Sequence, residues 1–97
     1  MSETIDELTI AFSEDGIEKT RELDKHVLSK GAWTTIMFRY QDWEQAKQAF
    51  GPVKYSIRRY QKRNNQYWQK SKFNISSNDQ AQKIVDILAN WLKEPIE

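Results

Sequence analysis

The stretch KYSIRRYQKRNNQYWQKSKFNI, residues 54–75, constrains the fold of this chain most. Its Tyr, Ile, Trp and Phe residues suit a pleated, half-buried surface. At its centre stands Asn64-Asn65, and Asn tolerates the positive φ that a two-residue hairpin loop requires. Two β-strands joined by a tight turn are expected. Side chains alternate across a strand. Tyr55, Ile57 and Arg59 therefore share one face, and Lys54, Arg58, Tyr60 and Lys62 share the other. On a regular return strand, Tyr67, Phe73 and Ile75 lie together, opposite Trp68, Lys70 and Lys72. The expectation is that the face with Tyr55 and Ile57, and with Tyr67, Phe73 and Ile75, enters a core. The other face then presents cations beside flat aromatic rings to water.

The charge distribution sharpens this picture. Residues 1–18 carry six carboxylates and no Lys or Arg. All fifteen basic residues fall in 19–97, against eight acidic ones there, so a charge of −6 precedes one of +7. Between Gln45 and Asn78 there is no carboxylate side chain, while Lys47, Lys54, Arg58, Arg59, Lys62, Arg63, Lys70 and Lys72 lie within it. Such asymmetry points to a polyanionic partner and an acidic arm.

Length and composition set the frame. Ninety-seven residues fit one domain. With 38% hydrophobic residues the core is small, and dimerisation would let the chain bury more. There is no cysteine, which excludes disulfides and thiolate metal sites. No apolar run approaches a membrane span and no signal peptide is visible, so a soluble, cytoplasmic protein is expected.

Residues 1–20 read as an acidic N-terminal arm, ordered in part if Ile5, Leu8, Ile10 and Phe12 form a short strand or turn. A single α+β domain is expected over 21–97. Residues 22–29 suit a first strand, and Lys30-Gly31 a turn. AWTTIMFRY, residues 32–40, is the clearest strand. Ile36, Phe38 and Tyr40 are placed in the core; Trp33, Thr35, Met37 and Arg39 face out. Residues 41–53 read as a connection with a helical turn at 43–49, ended by Gly51-Pro52. Ser77 with Gln80 fits a capping box, and Asp79 suits the positive end of a helix dipole. Ala81, Ile84, Val85, Leu88, Trp91 and Leu92 then recur at helical spacing up to Pro95. The expected architecture is α+β: an antiparallel sheet of three to four strands followed by a C-terminal amphipathic helix laid on the core face. Ile87 and Trp91 widen the helix stripe beyond one small sheet and are the candidate dimer interface.

The chemistry of catalysis is poorly supplied. One histidine, no cysteine and three glycines leave no Cys-His pair, no usual metal cluster and no phosphate loop. A binding protein without cofactor or metal is expected, not an enzyme. The outward set combines Trp33, Arg39, Arg58, Tyr60, Lys62, Trp68, Lys70 and Lys72. Cations follow phosphates and release counterions, and exposed rings stack unpaired bases. The plain alternative is a solvated face whose aromatics are cross-strand packing pairs.

The order of strands, the YSIRRY strand, the basic hairpin and the segment SKFNISSNDQAQKIVDILANWL resembles the positive-cofactor (transcriptional coactivator) family of single-stranded DNA-binding domains, small bacterial members included. The resemblance covers about residues 22–93 and is one of pattern and order. It implies a curved four-stranded antiparallel sheet, dimerisation through the helices, and single-stranded nucleic acid across the strands. It points to Arg58, Tyr60, Lys70 and Lys72 as binding residues. The 41–53 connection and the acidic arm depart from the family's pattern. The expected function is non-sequence-specific binding of single-stranded nucleic acid, DNA favoured, as a homodimer and as an accessory factor in transcription or DNA maintenance. A protein-interaction module using the sheet face or helix is the alternative, and salt sensitivity with oligonucleotides separates the two. A small-molecule-binding domain is a third reading and requires an apolar pocket.

Overall fold

Positive-φ turns punctuate the chain and set where its strands end. The computed structural model describes residues 4–94. After a 3-10 turn at Ile5–Glu7 come β1 (Phe12–Glu14), β2 (Ile17–Ser29), β3 (Trp33–Glu44), β4 (Ala49–Phe50), β5 (Lys54–Arg63), β6 (Gln66–Ile75) and α1 (Asn78–Lys93). Asp15 and Gly16, at φ 53° and 77°, turn β1 into β2; Asn64 and Asn65, at 52° and 62°, turn β5 into β6. Both loops have positive φ at both central residues, the twist that matches flanking strands. The turn expected at Asn64-Asn65 is present.

Every pairing is antiparallel, and the spatial order is β1-β2-β3-β5-β6 with β4 on the end of β3. The sheet is curled and a single C-terminal helix follows it. The α+β class holds, but among the described residues the strands number six rather than three to four. One extra strand comes from the N-terminal segment, whose Phe12–Glu14 pairs with the start of β2. Another replaces the helical turn expected at 43–49. Trp43 pairs with Phe50 across a short hairpin, their rings edge-on at 5.3 Å. The Arg21 guanidinium lies 3.8 Å over the Phe50 ring. Pro52, lacking an amide donor, stands between β4 and β5.

The core lies on one face of the sheet, here called inner. Ile36, Phe38, Tyr40, Tyr60 and Tyr67 form one buried cluster with Leu8 and Ile10. The core set expected of β3 is therefore correct. The layer covering it is the N-terminal segment. Its apolar residues Ile5, Leu8 and Ile10 pack down, and its backbone is tied to β2 by two charged side chains. Lys25 Nζ donates to the carbonyls of Ile5 and Leu8, each at 2.6 Å. Glu22 Oε1 accepts from Thr9 Oγ1 at 2.6 Å and from the Ile10 amide at 3.4 Å. Charged partners of this kind satisfy backbone groups that lie outside any ladder.

The helix does not lie on the core face, contrary to the sequence expectation. No residue of α1 is buried, and only Ala81 and Ile84 are half-buried. The segment 5–10 already occupies the surface that the helix would need. Instead α1 meets the sheet near its own start. Tyr55 Oη donates to Asn78 Oδ1 at 2.8 Å, beside the buried Ile75 on the outer face. Ser77 caps the helix as expected, accepting from the Gln80 amide at 3.1 Å. The reciprocal bond runs to Ser76, whose amide donates to Gln80 Oε1 at 3.2 Å. Pro95, the expected helix stop, lies outside the described residues. No helix among the described residues is long and apolar enough to cross a membrane.

Candidate nucleic-acid interface

Register divides the expected site between two faces. Between β3 and β5, Thr34 pairs with Tyr60, Ile36 with Arg58 and Phe38 with Ser56. Directly paired residues share a face, so Arg58 and Tyr60 lie on the inner face with the core. Tyr55, Ile57 and Arg59, expected inside, lie on the outer face. Period-two alternation groups residues but does not say which group turns inward. In β5 both groups carry rings and cations. The inward position beside Phe38 goes to the small, fully buried Ser56.

A bulge then splits β6. From Arg59 to Tyr60 β5 advances one residue, while β6 advances two, from Ser71 to Gln69. Lys70 is the extra residue. One unpaired residue reverses the parity of everything beyond it. Lys72 thus faces inward opposite Arg58, while Trp68 faces outward with Phe73 and Ile75. The expected grouping of Trp68, Lys70 and Lys72 on one face is corrected, as is that of Tyr67 with Phe73 and Ile75.

The outer face keeps a coherent set at the hairpin end. Trp33 pairs with Gln61, and Gln61 with Trp68, so two tryptophans flank a glutamine across three adjacent strands. They are 39% and 40% exposed, enough ring to accept a stacked base. Two strand spacings put their backbones roughly 10 Å apart. The Arg59 guanidinium sits 4.4 Å over the Trp33 ring. Arg63, Asn64, Trp68 and Lys70 line a shallow depression of about 240 Å3. No carboxylate occurs in residues 33–41 or 45–78, which supply this part of the face. Arg59 was missed by sequence reasoning because it was assigned inward. Alternation gave no signal for it: its outward position follows from the register that pairs Arg59 with Thr35, next on that face after the Trp33–Gln61 pair.

The other expected residues stand elsewhere. Arg39 is on the outer face, where its guanidinium lies 3.8 Å from Asp24. The backbone amide of Lys25 holds the Asp24 carboxyl below its ordinary range, aided by His26 and Arg39. His26 contacts Asp24 at 3.3 Å and is itself exposed. Tyr60 is only 4% exposed, so its ring is not open to a base. Burial raises its hydroxyl above the ordinary range, against the opposing pull of Arg58. Lys62 is exposed, with Nζ 5.6 Å over the Tyr67 ring. Arg58 Nε donates to Ser56 Oγ at 3.3 Å, and Nη1 to Gln69 Oε1 at 3.1 Å.

The helix residues Ile87 and Trp91 are 47% and 64% exposed. Val85, Leu88 and Leu92 are exposed with them, so the stripe has no intramolecular partner among the described residues. The chain matches no known family model, no curated protein and no solved structure.

Proposed function

We propose that this protein binds single-stranded nucleic acid, DNA favoured, at the hairpin end of the outer face, without base-specific readout. The observation that carries this reading is the Trp33–Gln61–Trp68 row, with half-exposed rings amid Arg59, Arg63 and Lys70 and no carboxylate in residues 33–41 or 45–78 around it. Stacking on tryptophan is indifferent to base identity and contributes about 1–3 kcal/mol per base. The three cations neutralise phosphates on either side of the stacked bases. Contacts with about three phosphates give a log–log salt slope near −2 for single strands.

Homodimerisation belongs to the same reading. A helix with Val85, Ile87, Leu88, Trp91 and Leu92 exposed needs a second apolar surface, and a second copy supplies one. The resemblance to the positive-cofactor family favours the same arrangement and an accessory role in transcription or DNA maintenance in the cytoplasm. Titration of labelled single-stranded DNA, single-stranded RNA and duplex tests the function, with Trp33→Ala/Trp68→Ala as the site control. Tight, salt-sensitive binding of single strands, lost in the double variant, is expected. Equal binding of wild type and a folded double variant rejects the site.

A further inference from the structure

The inner face carries a feature that the outer-face reading leaves unused. A cleft of about 440 Å3 lies between the N-terminal segment and the β5–β6 pair. This is within the roughly 300–1,000 Å3 usual for small-molecule sites. Residues 9–12 form one wall, and Tyr40, Arg58, Lys72 and Asn74 are among the residues opposite. Arg58 and Lys72 are direct cross-strand partners. Like charges directly opposite each other repel. Among the described residues neither has a carboxylate at ion-pair distance. The acid lining the cleft, Asp42, is engaged elsewhere: Lys54 Nζ lies 3.3 Å from it, and Thr20 Oγ1 donates to it at 3.0 Å. Asn74 Oδ1 accepts from Ser56 Oγ at 2.7 Å, which leaves its amide N–H groups for another acceptor.

We infer that this cleft binds a phosphomonoester, the terminal phosphate of a free nucleotide or of a nucleic-acid end. A dianion relieves the repulsion between two adjacent cations. A phosphomonoester carries about −1.5 to −2 charges near pH 7, whereas a phosphodiester carries one. With Nε and Nη1 donating to Ser56 and Gln69, Arg58 brings a fixed charge and its Nη2 N–H groups, and lysine adds a mobile point charge. The wall at 9–12 closes one side, so a molecule that ends in its phosphate fits better than a continuous strand. The site shares no residue with the Trp33–Trp68 row, and its occupancy is separable from the proposed function.

Calorimetric titration of the full chain with inorganic phosphate, thymidine and thymidine monophosphate tests the site. Oligothymidylates of about ten nucleotides with 5′-phosphate, 3′-phosphate or hydroxyl ends form the second arm. The monophosphate binds and thymidine does not; a phosphorylated end strengthens binding about tenfold, as a charge-assisted contact does. Lys72→Gln, at an exposed position, removes the difference without lowering Tm; Arg58→Gln removes it too but lowers Tm, because Arg58 is half-buried and donates to Ser56 and Gln69. Trp33→Ala/Trp68→Ala weakens all oligonucleotides and preserves the ratio between phosphorylated and hydroxyl ends. Binding of the monophosphate without end preference assigns the site to free nucleotides; end preference assigns it to strands. Lys72-dependent binding of the monophosphate by a protein that binds no oligonucleotide sinks the outer-face reading and leaves this site standing. If neither phosphorylated ligand outbinds its unphosphorylated counterpart, or if Lys72→Gln leaves the difference intact, the site is rejected.

Discussion

Truncating the N-terminal segment's apolar contacts should unfold the protein rather than merely loosen an acidic tail. Leu8 and Ile10 are 5% and 6% exposed and belong to the cluster with Ile36, Phe38 and Tyr60. Leu→Ala or Ile→Ala in a core costs about 2–5 kcal/mol. The segment is a single layer with solvent above it, so its neighbours can relax and the low end applies. Leu8→Ala should therefore cost about 2–3 kcal/mol, and a domain of this size loses about 4–8 °C in Tm per kcal/mol. A drop of about 10–20 °C is expected. With Ile10→Ala added, the loss reaches about 4–6 kcal/mol before coupling, against a total stability of about 5–15 kcal/mol. The double variant should be unfolded or close to it at 37 °C. Phe12→Ala is the control, because Phe12 is 53% exposed; its cost stays below about 1 kcal/mol. Thermal and urea melts followed by circular dichroism read all three. A Leu8→Ala protein that melts within a couple of degrees of wild type would refute the packed segment and restore a mobile acidic arm.

Four further outcomes are expected. Trp33→Ala/Trp68→Ala should reduce affinity for single strands by about 1–3 kcal/mol per ring, read by fluorescence anisotropy at fixed salt, with far-UV circular dichroism unchanged. Arg63→Gln/Lys70→Gln should flatten the salt slope by about 1.4, and an unchanged slope would remove these cations from the site. The protein should sediment as a dimer at tens of micromolar, and Trp91→Asp as a folded monomer, since Trp91 is 64% exposed within one chain; a monomeric wild type contradicts this. Asp24 has a carboxyl pKa depressed below its ordinary 3.8, through the Lys25 amide, His26 and Arg39. Its contribution is therefore complete above that value and lost as pH falls through the folded pKa. Asp24→Asn should lower Tm at pH 6 and lose less than wild type between pH 4 and pH 2.

Local signals carried much of the fold. Asn64-Asn65 marks its hairpin because few residues tolerate two successive positive φ values. Ile36, Phe38 and Tyr40 mark the inner face of β3 because three large apolar side chains recur there at alternate positions, with only the small Thr34 polar among them before Asp42. Ser77 marks the helix start through its own hydroxyl. The candidate site was only half legible. Its residue types and the absence of carboxylates from 45–78 are properties of the sequence. Their division between faces is a property of register. Whether Arg58 or Arg59 faces inward depends on which residue stands beside Ile36, and alternation is silent on that. The bulge at Lys70 leaves no mark in composition, yet it sends Trp68 and Lys72 to opposite sides. The helix shows the same division. Its amphipathic spacing is written in the chain, but spacing cannot say what covers an apolar stripe. Leu8 and Ile10 reached the core face of the sheet, tied down by Lys25 and Glu22, and so the stripe of α1 stays open. Burial is a competition between segments distant in sequence for one surface, and only the assembled tertiary structure decides which segment wins it.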